Sequence, residues 1–233
     1  MEQIKELTGQ EIYDREVSDS KASNRQGNYE KGSWIGTYRG HKIFPINPDP
    51  NEIDIQDIAH ALGNNCRYTG HVNQFYSVAQ HCVIVSELVQ PENALAGLLH
   101  DASEAYLSDI ARPVKYSKAL EGYREVEAKL ERVINEKFGL PYPMVQDVKW
   151  ADDMALMAEG YYLFKPIPDW VTERLSQEGL DKPMIPRFFC WPPVTAKAMY
   201  IKRFLELNGV KLSIATDEDF LQMERMNGAS KEN

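Results

Sequence analysis

No CxxC pair occurs in this chain. Its three cysteines, Cys66, Cys82 and Cys190, are far apart and odd in number. That argues against a zinc ribbon or a thioredoxin-type redox site and suits a reducing compartment. Positive charge is also short. Lys and Arg number 26 against 35 Asp and Glu, a formal net charge of -9, so nonspecific attraction to a nucleic-acid duplex is not expected. An anionic substrate would have to be drawn in by a local basic cluster. Long apolar runs are missing: no stretch approaches the roughly 20 residues of a membrane span. MEQIKELTGQEIYDRE, at the start of the chain, lacks the apolar centre of a signal peptide. The expected setting is soluble and cytoplasmic, with no membrane partner. Strand signals are scarce as well. Only TYRGHKIF, 37 to 44, reads as a hairpin, turning at Arg39-Gly40 before prolines end it.

What is present is helical periodicity. Hydrophobic residues make up 43% of the chain, enough for a core. IDIQDIAHALGN, 53 to 64, reads as a short helix stopped by Gly63. GHVNQFYSVAQHCVIVSELV, 70 to 89, places Val78, Cys82, Val85 and Val89 at helical spacing. Pro91 opens a helix running through PENALAGLLHDASEAY. LEGYREVEAKLERVINEKFG, 120 to 139, is amphipathic and ends at Gly139; its Glu/Lys pattern reads as a solvated face. Two more helices follow, at 148 to 164 and 194 to 209. The proline-rich 165 to 193 between them reads as an excursion. The fold class is all-α: a helical domain over 33 to 210, with a small N-terminal hairpin. Residues 1 to 32 have the polar composition of a linker, and 211 to 233 form a tail with a short helix at DEDFLQMERM.

Three of these helices carry ionisable groups on apolar faces. His81 follows Val78 by three and precedes Val85 by four, which puts it on the stripe. His100 and Asp101 come directly after Leu98 and Leu99. Asp152 lies four after Val148 and three before Ala155. A buried unpaired charge costs several kcal/mol, and one divalent cation would satisfy all four groups. Two imidazoles and two carboxylates suit zinc, cobalt, manganese or iron. They leave positions for water and substrate.

His81, His100-Asp101 and Asp152 together resemble the H…HD…D signature of HD-domain phosphohydrolases. HDASEAYLSDIARPVK is similar to the HDASE…D…PVK block of bacterial 5′-deoxynucleotidases. SVAQH resembles their SVAEH, with Gln80 in place of Glu, and VKWAD resembles their KxAD. The stretch from about 32 to 89 is more similar still to phage-type members, including deoxyadenosine triphosphate triphosphohydrolases. The resemblance covers about residues 33 to 164. It implies an HD-domain helical bundle and metal ligands His81, His100, Asp101 and Asp152, with Asp152 rather than its neighbour Asp153. The ion would be Zn, Co or Mn, with Mg as a candidate second ion.

The same resemblance makes Glu104 the catalytic carboxylate. It puts Asp109 beside the sugar and the attacking water, where the residues alone read as a cap or Asx turn. It makes Arg67, Lys115 and Lys149 phosphate contacts, with Arg112 a candidate fourth cation. Tyr68 would stack on the base or serve as a core aromatic. His60, His71 and His41 read as surface, loop and hairpin residues. The implied activity is hydrolysis of deoxynucleoside 5′-phosphates at the α-phosphate, with a dATP-type triphosphohydrolase favoured over a dNMP 5′-nucleotidase. A noncatalytic nucleotide sensor is a third reading. Di-iron oxygenases and dinuclear phosphodiesterases need further histidines after the HD pair, and none follows His100. The implied partners are a deoxynucleotide and further copies of the chain, as dimer or hexamer, in the cytoplasm (the host's, if the chain is phage-encoded).

Overall fold

The computed structural model describes residues 33–210; the expectations for 1 to 32 and 211 to 233 lie outside them. The fold is all-α with a small antiparallel hairpin near its start. Strands β1 (Ile35–Gly36) and β2 (Lys42–Ile43) pair Ile35 with Ile43 and Gly36 with Lys42. The turn falls where the sequence predicts it, with Gly40 at φ +80, a backbone conformation that only glycine adopts without strain.

Helix α1 spans Ile55–Asn64, opened by Asp54, whose side chain accepts from the Gln56 N–H. Gly63 does not stop it. A Cβ at Gly63 would lie 3.0 Å from the Pro193 carbonyl oxygen and 3.3 Å from Lys197, so this glycine serves close helix packing. Helix α2 is Val78–Leu88, with Ser77 as its cap. It begins eight residues later than expected from 70: Arg67–Gly70 forms a tight turn in which Tyr68 and Thr69 take left-handed backbone angles, and the chain then runs back so that Tyr76 O accepts from Arg67 N and Val78 N donates to Asn65 O.

The helix expected from Pro91 through Tyr106 is divided into α3 (Ala94–Leu99) and α4 (Glu104–Leu107). Between them the bonds run from Ala102 N to Leu99 O and from Glu104 N to Asp101 O, one residue shorter than α-helical spacing. This tightening falls on His100 and Asp101. It turns them relative to Glu104, so the three do not share a simple helical face.

Helix α5 is Arg112–Lys115, α6 Glu121–Phe138, α7 Gln146–Leu163, α8 Asp169–Gln177 and α9 Pro193–Leu207. Gly139 closes α6 in the left-handed conformation, as the sequence predicts. α8 lies inside the expected excursion, where the sequence pattern predicts no helix. The prolines around it disguise a nine-residue helix whose Val171 and Leu175 pack against Met154 and Met157 of α7.

α2 is the central helix. Val78, Ala79 and Cys82 face a core shared with Ile58, Leu62, Leu98, Leu130, Ile134 and Tyr200. Val85 and Val89 face Val148, Ala151 and Ala155. Eight of its eleven residues are buried, the polar Gln80, His81 and Ser86 among them, so α2 is enclosed along most of its length. Gly97 brings α3 close to it: a Cβ there would meet the Ser86 Cα at 3.1 Å. No helix among the described residues is long and apolar enough to cross a membrane.

Candidate metal centre

The enclosed position of α2 gives His81 no access to water; its side chain is 0% exposed. Its Nε2 faces three groups from two other segments. His100 Nε2 is 3.2 Å away, Asp152 Oδ1 3.1 Å and Asp101 Oδ2 3.6 Å. His100 Nε2 lies 3.2 Å from Asp101 Oδ2 and 4.0 Å from Asp152 Oδ1. The four residues expected as ligands therefore converge, and Asp152 rather than Asp153 joins them.

Ligand atoms bound at about 2.0–2.1 Å to one ion lie roughly 3.0–3.4 Å apart at tetrahedral or cis-octahedral angles. The shorter observed separations match that spacing. The His100 ring is oriented by its Nδ1–H, donated to the Gly97 carbonyl at 2.8 Å. A carbonyl only accepts, so in neutral His100 the bare nitrogen is Nε2, the one facing the cluster. The residues present fit a divalent cation.

The charges already interact strongly. Burial opposes an imidazolium at His100, yet the Asp101 carboxylate outweighs it and carries the pKa well above its ordinary value. Burial alone would raise Asp152; the His81 imidazole overcomes it and holds that carboxyl at about 2. Asp101 is likewise held below its usual range, against burial, by His100 and His81. Four electron-rich atoms in one buried spot require positive charge, as protons or as a metal ion.

Cys82 lies near His100 and Asp101. Burial pushes its thiol up to about 11, so it stays protonated and is a poor ligand. A separate cluster of His41, Asp54 and Asp57 could also hold an ion. There the Arg39 guanidinium already sits 2.8 Å from Asp54 Oδ2 and supplies the countercharge.

Around the centre, the remaining expected residues divide. Glu104 is buried, and its Oε2 has no hydrogen-bond partner. Burial, then the neighbouring Asp101 and Asp109, push its carboxyl well above the usual range. Asp109 is half-buried and raised by burial, with Arg67 and Asp101 the strongest charges acting on it. It is not a helix cap, since Ala111 occupies that place for α5.

Arg67 is buried at the centre, donating from Nε to Glu159 at 3.1 Å and from Nη1 to Asp101 at 3.4 Å. Lys115 pairs with Glu127 at 2.6 Å. Lys149 and Arg112 are exposed. Tyr68 is half-buried; its hydroxyl donates to Glu159 and its ring meets Phe164 edge-on. Among the other histidines, His60 stacks on Tyr38 at 3.8 Å between ring centres.

Three features are not apparent from sequence pattern. Glu159 is fully buried and accepts from Arg67, Tyr68, Tyr76 and His81. The available signal is its place seven residues, two helical turns, after Asp152 within an apolar run. The second feature is Gln80, where the resembling family has Glu. Its Nε2 donates to the Phe189 carbonyl at 2.6 Å and its Oε1 accepts the Trp191 N–H at 2.7 Å. A carboxylate could not donate to that carbonyl. Gln80 thus ties the end of the 165 to 193 segment to the helix that bears His81.

Third, the 120 to 139 helix is not solvated along its whole charged face. Glu127 is buried and Glu131 half-buried. Glu131 lines a cleft of about 430 Å³, open mouth included, with Ser103, Asn135 and His100. Burial, then the Glu127 carboxylate, lift Glu131 to about 7 from an ordinary 4.5. The folded chain keeps this proton to about pH 7, while the unfolded chain releases it near 4.5. The group's contribution to stability is full below the lower value and is lost as pH climbs to the upper one. Glu131→Gln removes that loss. Its stability relative to wild type should rise between pH 4.5 and 7 and level off at about 1 kcal/mol, because the side chain is partly solvated. Urea unfolding across that range checks it; a difference flat with pH contradicts the assignment.

Comparison with known proteins adds relatives but no function. No family model matches the chain. It is 34% identical over 143 residues to an uncharacterized protein of Rhodobacter capsulatus, RCAP_rcc00048, covering 56% of this chain and 72% of that one. It is 45% identical over 127 residues to the uncharacterized protein YfdR of Escherichia coli K12, covering 54% of this chain and 70% of that one. At that identity and coverage, the chain belongs to the family of YfdR.

Proposed function

We propose that this chain is a metal-dependent phosphohydrolase acting at the α-phosphate of deoxynucleoside 5′-phosphates. A dNTP triphosphohydrolase of the dATP type is favoured, releasing nucleoside and triphosphate. The observation that carries this reading is the convergence of His81, His100, Asp101 and Asp152: His81 Nε2 lies 3.1–3.6 Å from atoms of the other three, and His100 Nε2 lies 3.2 Å from Asp101 and 4.0 Å from Asp152, with Glu104, whose buried Oε2 has no hydrogen-bond partner, close enough to feel the Asp101 charge. The resemblance to HD-domain phosphohydrolases supplies the substrate class.

His81, His100, Asp101 and Asp152 would hold the ion. When bound, a divalent metal supplies Lewis acidity toward water and toward a phosphoryl oxygen. Glu104 orients the attacking water and takes its proton; a carboxyl raised by burial is a stronger base than a free one. The water oxygen adds to the α-phosphorus and the bond to the ribose 5′-oxygen breaks; Glu104 passes the proton it took from the water to that oxygen, which leaves as the nucleoside hydroxyl. Arg67 has donors beyond the two it spends on Glu159 and Asp101, and these neutralise phosphoryl charge in the transition state. Lys115 exchanges Glu127 for phosphate. Lys149, exposed one turn before Asp152, meets the outer phosphates. Asp109 contacts the sugar, and the Tyr68 ring the base.

The test is product identification. Purified chain is incubated with Mn2+, Co2+ or Zn2+ and with dNMPs, dNTPs and ribonucleotides. The expected products from a dNTP are nucleoside and triphosphate. Nucleoside and phosphate from dNMPs alone would select the 5′-nucleotidase reading. Nucleotide binding without turnover would select the sensor. Neither binding nor release with any first-row metal ends the proposal.

A further inference from the structure

Glu159 stands apart from the expected machinery, yet it is the most heavily bonded carboxylate near it. Its Oε1 receives the Tyr76 hydroxyl at 2.9 Å and lies 2.6 Å from His81 Nδ1. Its Oε2 receives Arg67 Nε–H at 3.1 Å and the Tyr68 hydroxyl. The side chain is fully buried. An ionised carboxylate accepts only, so Nδ1 of His81 must carry a hydrogen to meet it. In neutral His81 the other nitrogen, Nε2, is then bare, and it is the one facing His100 and Asp152.

We infer that Glu159 is a positioning residue that fixes the ring tautomer of His81 and thereby creates the metal-binding nitrogen. This rests on the metal-centre reading and deepens it. The geometry makes an unusual demand on the isosteric variant. In Glu159→Gln the amide can be placed two ways. Arg67 donates and never accepts, so the amide oxygen must face Arg67. The amide N–H2 then faces Tyr76 and His81. A tyrosine hydroxyl can turn to accept, and His81 Nδ1 can accept only by giving up its hydrogen. The hydrogen moves to Nε2 and covers the nitrogen that would bind the ion. A change of one atom, with no loss of volume, therefore blocks the site from behind.

The expected result is a loss of zinc or manganese affinity of about 10–100-fold in Glu159→Gln, measured by titration calorimetry on the full chain, with the apo chain still folded. Removing the residue that dictates the amide's orientation should undo part of the loss. In Glu159→Gln with Arg67→Met the amide is free to turn its oxygen to His81, and affinity should recover relative to Glu159→Gln alone. A residue that merely supported the fold would give additive losses instead. Nitrogen-15 NMR of the apo chain, above the pH where His81 is neutral, reads the tautomer directly: hydrogen on Nδ1 in the wild type, on Nε2 in Glu159→Gln.

Equal metal affinity in wild type and Glu159→Gln overturns the inference. So does a wild-type ring with its hydrogen on Nε2, which decides the matter even if the variant fails to fold. If the wild type takes up no metal, the metal-centre reading falls, and the tautomer exchange alone supports or overturns this one.

Discussion

Glu104→Gln should leave metal uptake intact and lower turnover by about 10²–10⁴-fold, the usual worth of a general base. Glutamine keeps the size and the hydrogen-bonding shape of the side chain, but it cannot take a proton from water. Glu104 is not among the converging ligand atoms, so metal affinity should change little. Its Oε2 is buried without a partner, and its carboxyl is raised by burial and by Asp101 and Asp109. Removing that charge should also relieve repulsion in the metal-free chain, so the variant should be as stable as wild type or more so. The checks are steady-state turnover of the best substrate and metal affinity by calorimetry. Retained turnover with intact metal binding would remove Glu104 from the reaction. Loss of both would make it a ligand.

Much of this arrangement is legible in the order of the amino acids. Helical periodicity on α1, α6, α7 and α9 places those elements within a few residues of their observed ends. The apolar stripe through Val78, His81 and Val85 is enough to bury the imidazole. What periodicity does not disclose depends on long-range packing. α8 escapes because prolines surround it and its apolar face has meaning only against Met154 and Met157 of α7. The tightened backbone at His100–Ser103 is invisible in a pattern that continues smoothly through ALAGLLHDASEAY. Glu159 escapes because one acidic residue near a helix end looks solvated, and its four donors come from residues at least 78 positions away. Glu127 and Glu131 read as surface charges because a charged helix face is normally solvated; here α6 turns part of that face toward Lys115 and the cleft.

Asp152→Ala should have the largest effect on the metal itself, and its neighbour provides the control. Asp152 Oδ1 lies 3.1 Å from His81 Nε2 and 4.0 Å from His100 Nε2, whereas Asp153 is not among the converging ligand atoms. Deleting one of four ligands should lower affinity by more than the roughly 10–100-fold that follows from losing an outer support. In the wild type, zinc or manganese at about 100 times its Kd should stabilise the fold by about 2.7 kcal/mol. For a chain of this size that corresponds to a rise in melting temperature of about 5–10 °C. Asp152→Ala should lose that rise, and turnover with it. Asp153→Ala should keep both. The control is internal because the two residues share a helix and differ only in which side of it they occupy. If Asp153→Ala loses the metal-dependent rise and Asp152→Ala retains it, the ligand is the neighbour, and α7 must sit about 100° from its described orientation. If both variants keep the rise, the ion is held without α7, and the three-segment centre is wrong.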